Sequence, residues 1–397
     1  VRITPTILGA LALGCCALVA HSAELTPEVT SNITSRGNYL NTRLKFETEK
    51  TGHVAFLGGS ITQNAKGHSA MIPAWLESKF PDTEFTFTNA GISSTCSTTG
   101  AFRLQEHVLD KGPLDLLIVE FAVNDDQDAM HDRREALRGM EGIVRHVRSS
   151  SPKTDILMVQ YVNPPILEKL EKGETPISIS AHEAVADHYN ISTVNVGGAL
   201  AAGAMDWETY GGTHPGKDGY RLASDMMIHA LNEGWKGDLP EAAVAHAFPE
   251  PLDDHSYAKG KLINPTEAAW MGGWESGLTS EALLPEGSIR NDYKSWELTV
   301  AAEPGAQLHF PFFGQAVGAF VLAGPDAGIL ECSIDGESFK AVDLYHSFSE
   351  KLNYPRTVMF YTDLDAGYHQ LTLRVAPRKE GEPGGTRTPI LKFVINE

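Results

Sequence analysis

The stretch HVAFLGGSITQNAKGHSA, residues 53–70, ends an apolar run on two glycines and a serine. A hydroxyl pushed out at the end of a buried strand, beside residues without side chains, is well placed to meet a substrate. A serine hydroxyl is a weak nucleophile until a base takes its proton, so Ser60 needs a histidine within hydrogen-bond reach. His214, in YGGTHPGKDGY, sits in a tight turn ahead of a helical pattern. Two more apolar runs end in Asn89-Ala90-Gly91 and Val123-Asn124-Asp125. Acyl transfer creates an oxyanion that needs preorganised donors, and losing one donor typically costs about 3 kcal/mol of barrier stabilisation. The Ser60 N–H, the Gly91 N–H and the Asn124 side-chain amide are candidates, and a glycine lets its backbone approach a ligand closely. Singly, each residue has an ordinary explanation: Ser60 as a helix cap, Gly91 as a strand-end glycine, Asn124 as a turn residue, His214 as a loop residue. Their joint occurrence points to chemistry.

The elements that must position them alternate. Strands are expected at 53–58, 84–91, 114–124, 155–162 and 192–196, several almost continuously apolar, as strands covered on both faces are. Helical patterns lie between them, including 67–80, 99–112, 128–150, 180–189 and 219–235. This alternation implies a parallel sheet with helices on both faces, whose sites lie beyond the carboxyl ends of the strands. After Trp235 the character changes. Residues 239–257 are rich in Pro, Ala and acid and read as a linker. From 258 to 397, short alternating runs are punctuated by Asp-Gly, Glu-Pro-Gly and Asp-Ala-Gly, the pattern of antiparallel hairpins in a jelly-roll-like β-sandwich.

Four blocks now resemble those of the SGNH, or GDSL-type, hydrolase superfamily: FLGGSIT, NAGIS, FAVND and THPGKDGY, in that order over residues 53–222. The resemblance implies a flavodoxin-like α/β/α sandwich, Ser60 as nucleophile, His214 as base, and Ser60, Gly91 and Asn124 around the oxyanion. One departure stands out. The family often places an aspartate three residues before the histidine, and this chain has Gly211 there. Asp206 and Glu208 are nearby but off the usual spacing, so a Ser–His dyad with a backbone carbonyl on the other ring nitrogen is the alternative. Arg103, on the helix after the second strand, is equally well explained by a solvated face. Trp270 and Trp274 read as sandwich core in preference to a sugar-stacking pair.

The bulk properties limit the partners. A formal net charge of −19 with no basic block argues against nucleic acid and against anionic membranes. Residues 1–23 read as a secretory signal, so a secreted or periplasmic location is expected. Cys15 and Cys16 would leave with it, and Cys96 and Cys332 fall in different expected domains, which disfavours a bridge. The carboxylates show no metal-ligand spacing, there is no HExxH or paired-cysteine motif, and the serine turn lacks the ending of a phosphate loop; no cofactor and no metal are expected. These features predict three units: a signal (1–23), a hydrolase domain (24–238) and, after the linker, a β-sandwich (258–397). By analogy with secreted members carrying a sandwich, the activity expected is removal of O-acetyl groups from a polysaccharide or oligosaccharide. A lipid esterase or lysophospholipase, and a carbohydrate-binding protein with weakened catalysis, are the alternatives. The glycan, the ester position and the oligomeric state are not legible.

Overall fold

The computed structural model describes residues 25–397, so the expected signal segment lies outside the described residues. Six strands form the first sheet: β1 (Ile33–Thr34), β2 (Thr51–Gly58), β3 (Glu84–Gly91), β4 (Leu116–Val119), β5 (Asp155–Gln160) and β6 (Ser192–Asn195). Their order is β1-β6-β5-β4-β2-β3, parallel from β2 to β6, with β1 antiparallel at one edge. The strand order reverses at β2, whose neighbours are β3 and β4. Open α/β sheets bind ligands in the crevice at such a reversal.

Sequence pattern explains the layers. Alternate residues of the central strands enter opposite cores: Leu57, Leu117, Val119 and Met158 face one, and Phe56, Leu116, Ile118 and Val159 the other. Helices Ser97–His107, Arg133–Ser150 and Ile177–His188 cover the first face; His68–Lys79 and Lys217–Gly234 cover the second. The edge strand β3 alternates polar and apolar residues because one side of it reaches solvent.

Several boundaries differ from expectation, two of them beside Asn124. The third strand stops at Val119, and Asn124–Asp128 forms a single π-helical turn. The long helix starts at Arg133 rather than near 128, because Met130 adopts a φ of 50° and Asp132 then caps the helix by accepting from Glu135 N–H at 2.8 Å.

No regular element lies between Gly234 and Gly260. This segment is fastened to the first domain through Glu141, which accepts from the Leu252 and Asp253 amides. Beyond it, two antiparallel sheets pack face to face over a core that includes Leu308, Phe310, Val321 and Phe393. The Phe310 and Phe393 rings stack between the sheets at 4.2 Å. Trp274 is buried in this core and Trp270 packs against it, as the sequence suggested. Asp335 and Gly336, both at positive φ, turn the chain between two strands. Cys96 and Cys332 are both free.

The domains share a core. Phe102 of the first domain lies 4.9 Å from Tyr257, and the same apolar cluster continues through Leu298, Phe320 and Leu391 of the sandwich. Polar ties reinforce it: Arg138 pairs with Asp363, and Thr99 and Thr357 share a hydrogen bond of 2.7 Å.

Candidate active site

Ser60 opens the short helix Ser60–Gln63 immediately after β2. The first N–H groups of a helix have no acceptor within it, so the Ser60 amide is free to face a ligand. Its Oγ lies 2.7 Å from His214 Nε2. The glycines before it answer a packing demand. A Cβ on Gly59 would lie 2.2 Å from Asn124 Oδ1, and one on Gly58 would lie 2.2 Å from Glu120 Oε1. Two polar side chains from the end of β4 occupy the space that side chains at 58 and 59 would need.

His214 is carried by the turn between helices Trp207–Tyr210 and Lys217–Gly234. The turn closes through a 2.7 Å bond from Gly216 N–H to Tyr210 C=O. Gly211 has a φ of 98°, and a Cβ there would lie 2.3 Å from Gly216 N. An aspartate three residues before the histidine is therefore incompatible with this backbone. Asp206 is engaged elsewhere: it caps Trp207–Tyr210, accepting from Thr209 N–H at 2.8 Å and Thr209 Oγ at 2.7 Å. Those bonds hold its carboxyl below the usual range. Glu208 is exposed on the same helix. Among the described residues, neither carboxylate bonds to His214, whose one side-chain hydrogen bond is to Ser60.

Asn124 is 3% exposed and donates through Nδ2 to Asp128 Oδ2 at 2.8 Å. A carboxylate accepts only, so this bond fixes which end of the amide faces Asp128 and leaves its second hydrogen available. The other Asp128 oxygen accepts from the Tyr354 hydroxyl, which belongs to the sandwich. Ser60, Asn124 and His214 line one cavity of about 330 Å³, whose far wall is Arg290, Phe348, Leu352 and Tyr354 of the second domain. Gly91 is the register partner of Gly58, but its N–H donates to Asn89 Oδ1 at 2.9 Å and it does not line the cavity.

Two charged residues beneath the site escaped or defied the sequence reading. Arg103 is fully buried, which overturns its reading as a solvated-face residue. It donates to Ala90 C=O at 2.6 Å and to Gly58 C=O at 2.9 Å, tying β3 to β2 at the ends that carry the site. Its apolar neighbours on the helix gave no sign that this face points inward at the strand termini. Glu120 is buried as well. Its Oε1 accepts from Gly59 N–H, Thr62 N–H and Thr62 Oγ, while Oε2 has no partner among the described residues. The signal for it was a lone carboxylate inside the apolar run LLIVEFAV. Burial pushes its carboxyl up to about 7, against the pull of those bonds.

Residues 56–222 match the sequence model of the GDSL-like Lipase/Acylhydrolase family. The matched residues lie within the α/β domain. The blocks around Ser60, Gly91, Asn124 and His214 all fall within the matched residues. The whole chain is similar in fold to a two-domain esterase active on acetylated mannans. Over 93% of this chain and 98% of that one the TM-score is 0.72 at 22% identity. The same enzyme co-crystallised with mannopentaose gives a TM-score of 0.72 at 21% identity, with the same coverage. No curated protein matches the sequence.

Glu120 makes stability depend on pH. A folded-state value near 7, above the ordinary 4.5, means that the folded chain holds this proton more tightly than the unfolded chain does. The resulting stabilisation is complete below about pH 4.5 and is lost as pH rises through 7. In urea unfolding, the advantage of Glu120→Gln over the parent should grow by up to about 3 kcal/mol between those limits. A pH-independent difference would show that the carboxyl ionises normally.

Proposed function

We propose that this chain is an exported serine esterase that removes O-acetyl groups from a polysaccharide or oligosaccharide. The observation that carries the reading is the 2.7 Å contact between Ser60 Oγ and His214 Nε2 at the strand-order reversal, inside a cavity that Asn124 also lines. Ser60 attacks the ester carbonyl while its proton passes to His214 Nε2. The tetrahedral oxyanion accepts from the Ser60 N–H and the free Asn124 amide hydrogen. Gly91 joins as a donor once its N–H leaves Asn89. The intermediate collapses, His214 protonates the departing sugar oxygen as its bond to the acyl carbon breaks, and water activated by the same imidazole hydrolyses the acyl-enzyme. No carboxylate on His214 is needed: Ser60 and His214 act as a dyad. A cavity of this size, near the lower end for ligand sites, suits a short acyl group. The carbohydrate assignment draws on the two-domain similarity to an acetylated-mannan esterase.

Acetate release from acetylated mannan and xylan, set beside p-nitrophenyl acetate and octanoate, tests the substrate class. Release from a glycan and faster cleavage of acetate than octanoate are expected; rates rising with chain length would point to lipid esters instead. Ser60→Ala should abolish turnover without loss of folding. Asp206→Ala should lower stability through the lost cap yet keep kcat within about tenfold. A loss of several hundredfold would make Asp206 the third catalytic member. Tyr354→Phe, which removes the hydroxyl holding Asp128, should lower kcat about tenfold with little change in KM; a rise in KM alone would place Tyr354 in substrate binding.

A further inference from the structure

Three side chains of different chemistry converge away from Ser60, beside the turn that carries Asn124. Cys96 Sγ, a carboxylate oxygen of Asp125 and a ring nitrogen of His131 all lie within 4.8 Å of one another. Cys96 and Asp125 are buried and the His131 side chain is 10% exposed. His131 Nδ1 is buried with no hydrogen-bond partner, 3.4 Å from Asp125 Oδ1. That separation is long for a hydrogen bond. It matches the roughly 3.3–3.8 Å between ligands on a tetrahedral ion whose bonds are about 2.0–2.3 Å long.

The surroundings complete the arrangement. The second Asp125 oxygen accepts from Ser97 Oγ at 2.7 Å and from His182 Nε2 at 2.8 Å, partners that hold the carboxylate in place as outer-shell groups do around metals. Cys96 and His131 also face a cavity of about 250 Å³ between the domains, walled by Arg356 and Met359 of the sandwich. It supplies an entry path and room for a water as fourth ligand.

We propose that Cys96, Asp125 and His131 bind one zinc-type divalent cation at the junction of the two domains. Thiolate and imidazole together favour such an ion over calcium or magnesium. The ion would join the start of helix Ser97–His107 to both ends of the turn bearing Asn124, and so act on the fold rather than on the ester. This departs from the metal-free expectation. The ligands form no linear motif, since only the packing of the helix against the turn brings Cys96 to the other two.

The chain, stripped with a chelator, is titrated with CoCl₂ and then ZnCl₂. Binding of one cobalt per chain with a thiolate-to-cobalt band in the near ultraviolet, displaced by zinc, is expected. Cys96→Ser should lose the band, His131→Gln should weaken binding at least tenfold, and Cys332→Ser should keep it, with circular dichroism verifying each fold. The band is read on the unaltered chain, so the test survives a variant that does not fold. Absence of the band, or undiminished cobalt binding in folded Cys96→Ser and His131→Gln, would overturn the site. Neither result depends on whether the chain cleaves esters.

Discussion

The ends of β2 and β3 are held together by one buried guanidinium. Arg103 donates to two carbonyls at those ends, on Ala90 and on Gly58, the latter also accepting from Ile92 N–H at 3.1 Å. Burial lowers its pKa to about 10, which still leaves it cationic at neutral pH. Hydrogen bonds to a charged donor contribute about 1.5–3 kcal/mol each, enough to offset part of the cost of hiding the charge. Ser60 lies two residues beyond Gly58, and Gly91 directly follows Ala90. The clamp therefore sets where both begin, and small errors in such placement cost large factors in rate.

Much of this was legible in the residues. β3 spans the same eight residues that the sequence pattern marked, because strand-end glycine and apolar alternation are local signals. Ser60 and His214, 154 positions apart, are neighbours because one directly follows a strand and the other precedes a helix, elements whose type could be read. What was not legible depends on packing at a distance. Arg103 looks like any polar residue on a helix until the strand termini beneath it are known. The partners of Asn124 are equally hidden: Asp128 is one helical turn away, but Tyr354 comes from another domain.

The turn before His214 shows a local constraint excluding a familiar solution. With Gly211 in the left-handed region and its Cβ position filled by Gly216 N, the backbone that delivers the imidazole leaves no place for a side chain there. Asp206 is spent on the short helix that builds the turn. Orientation of the imidazole is thus left to the rigidity of the turn and to the serine it meets.

The continuous apolar cluster from Phe102 through Tyr257 to Phe320 bears on descent. Modules joined by a bare tether can be exchanged between genes without harm to either. Here a swap would strip the α/β unit of one flank and bare a greasy surface to water, so exchanging either half would carry a cost in stability that a tethered pair escapes.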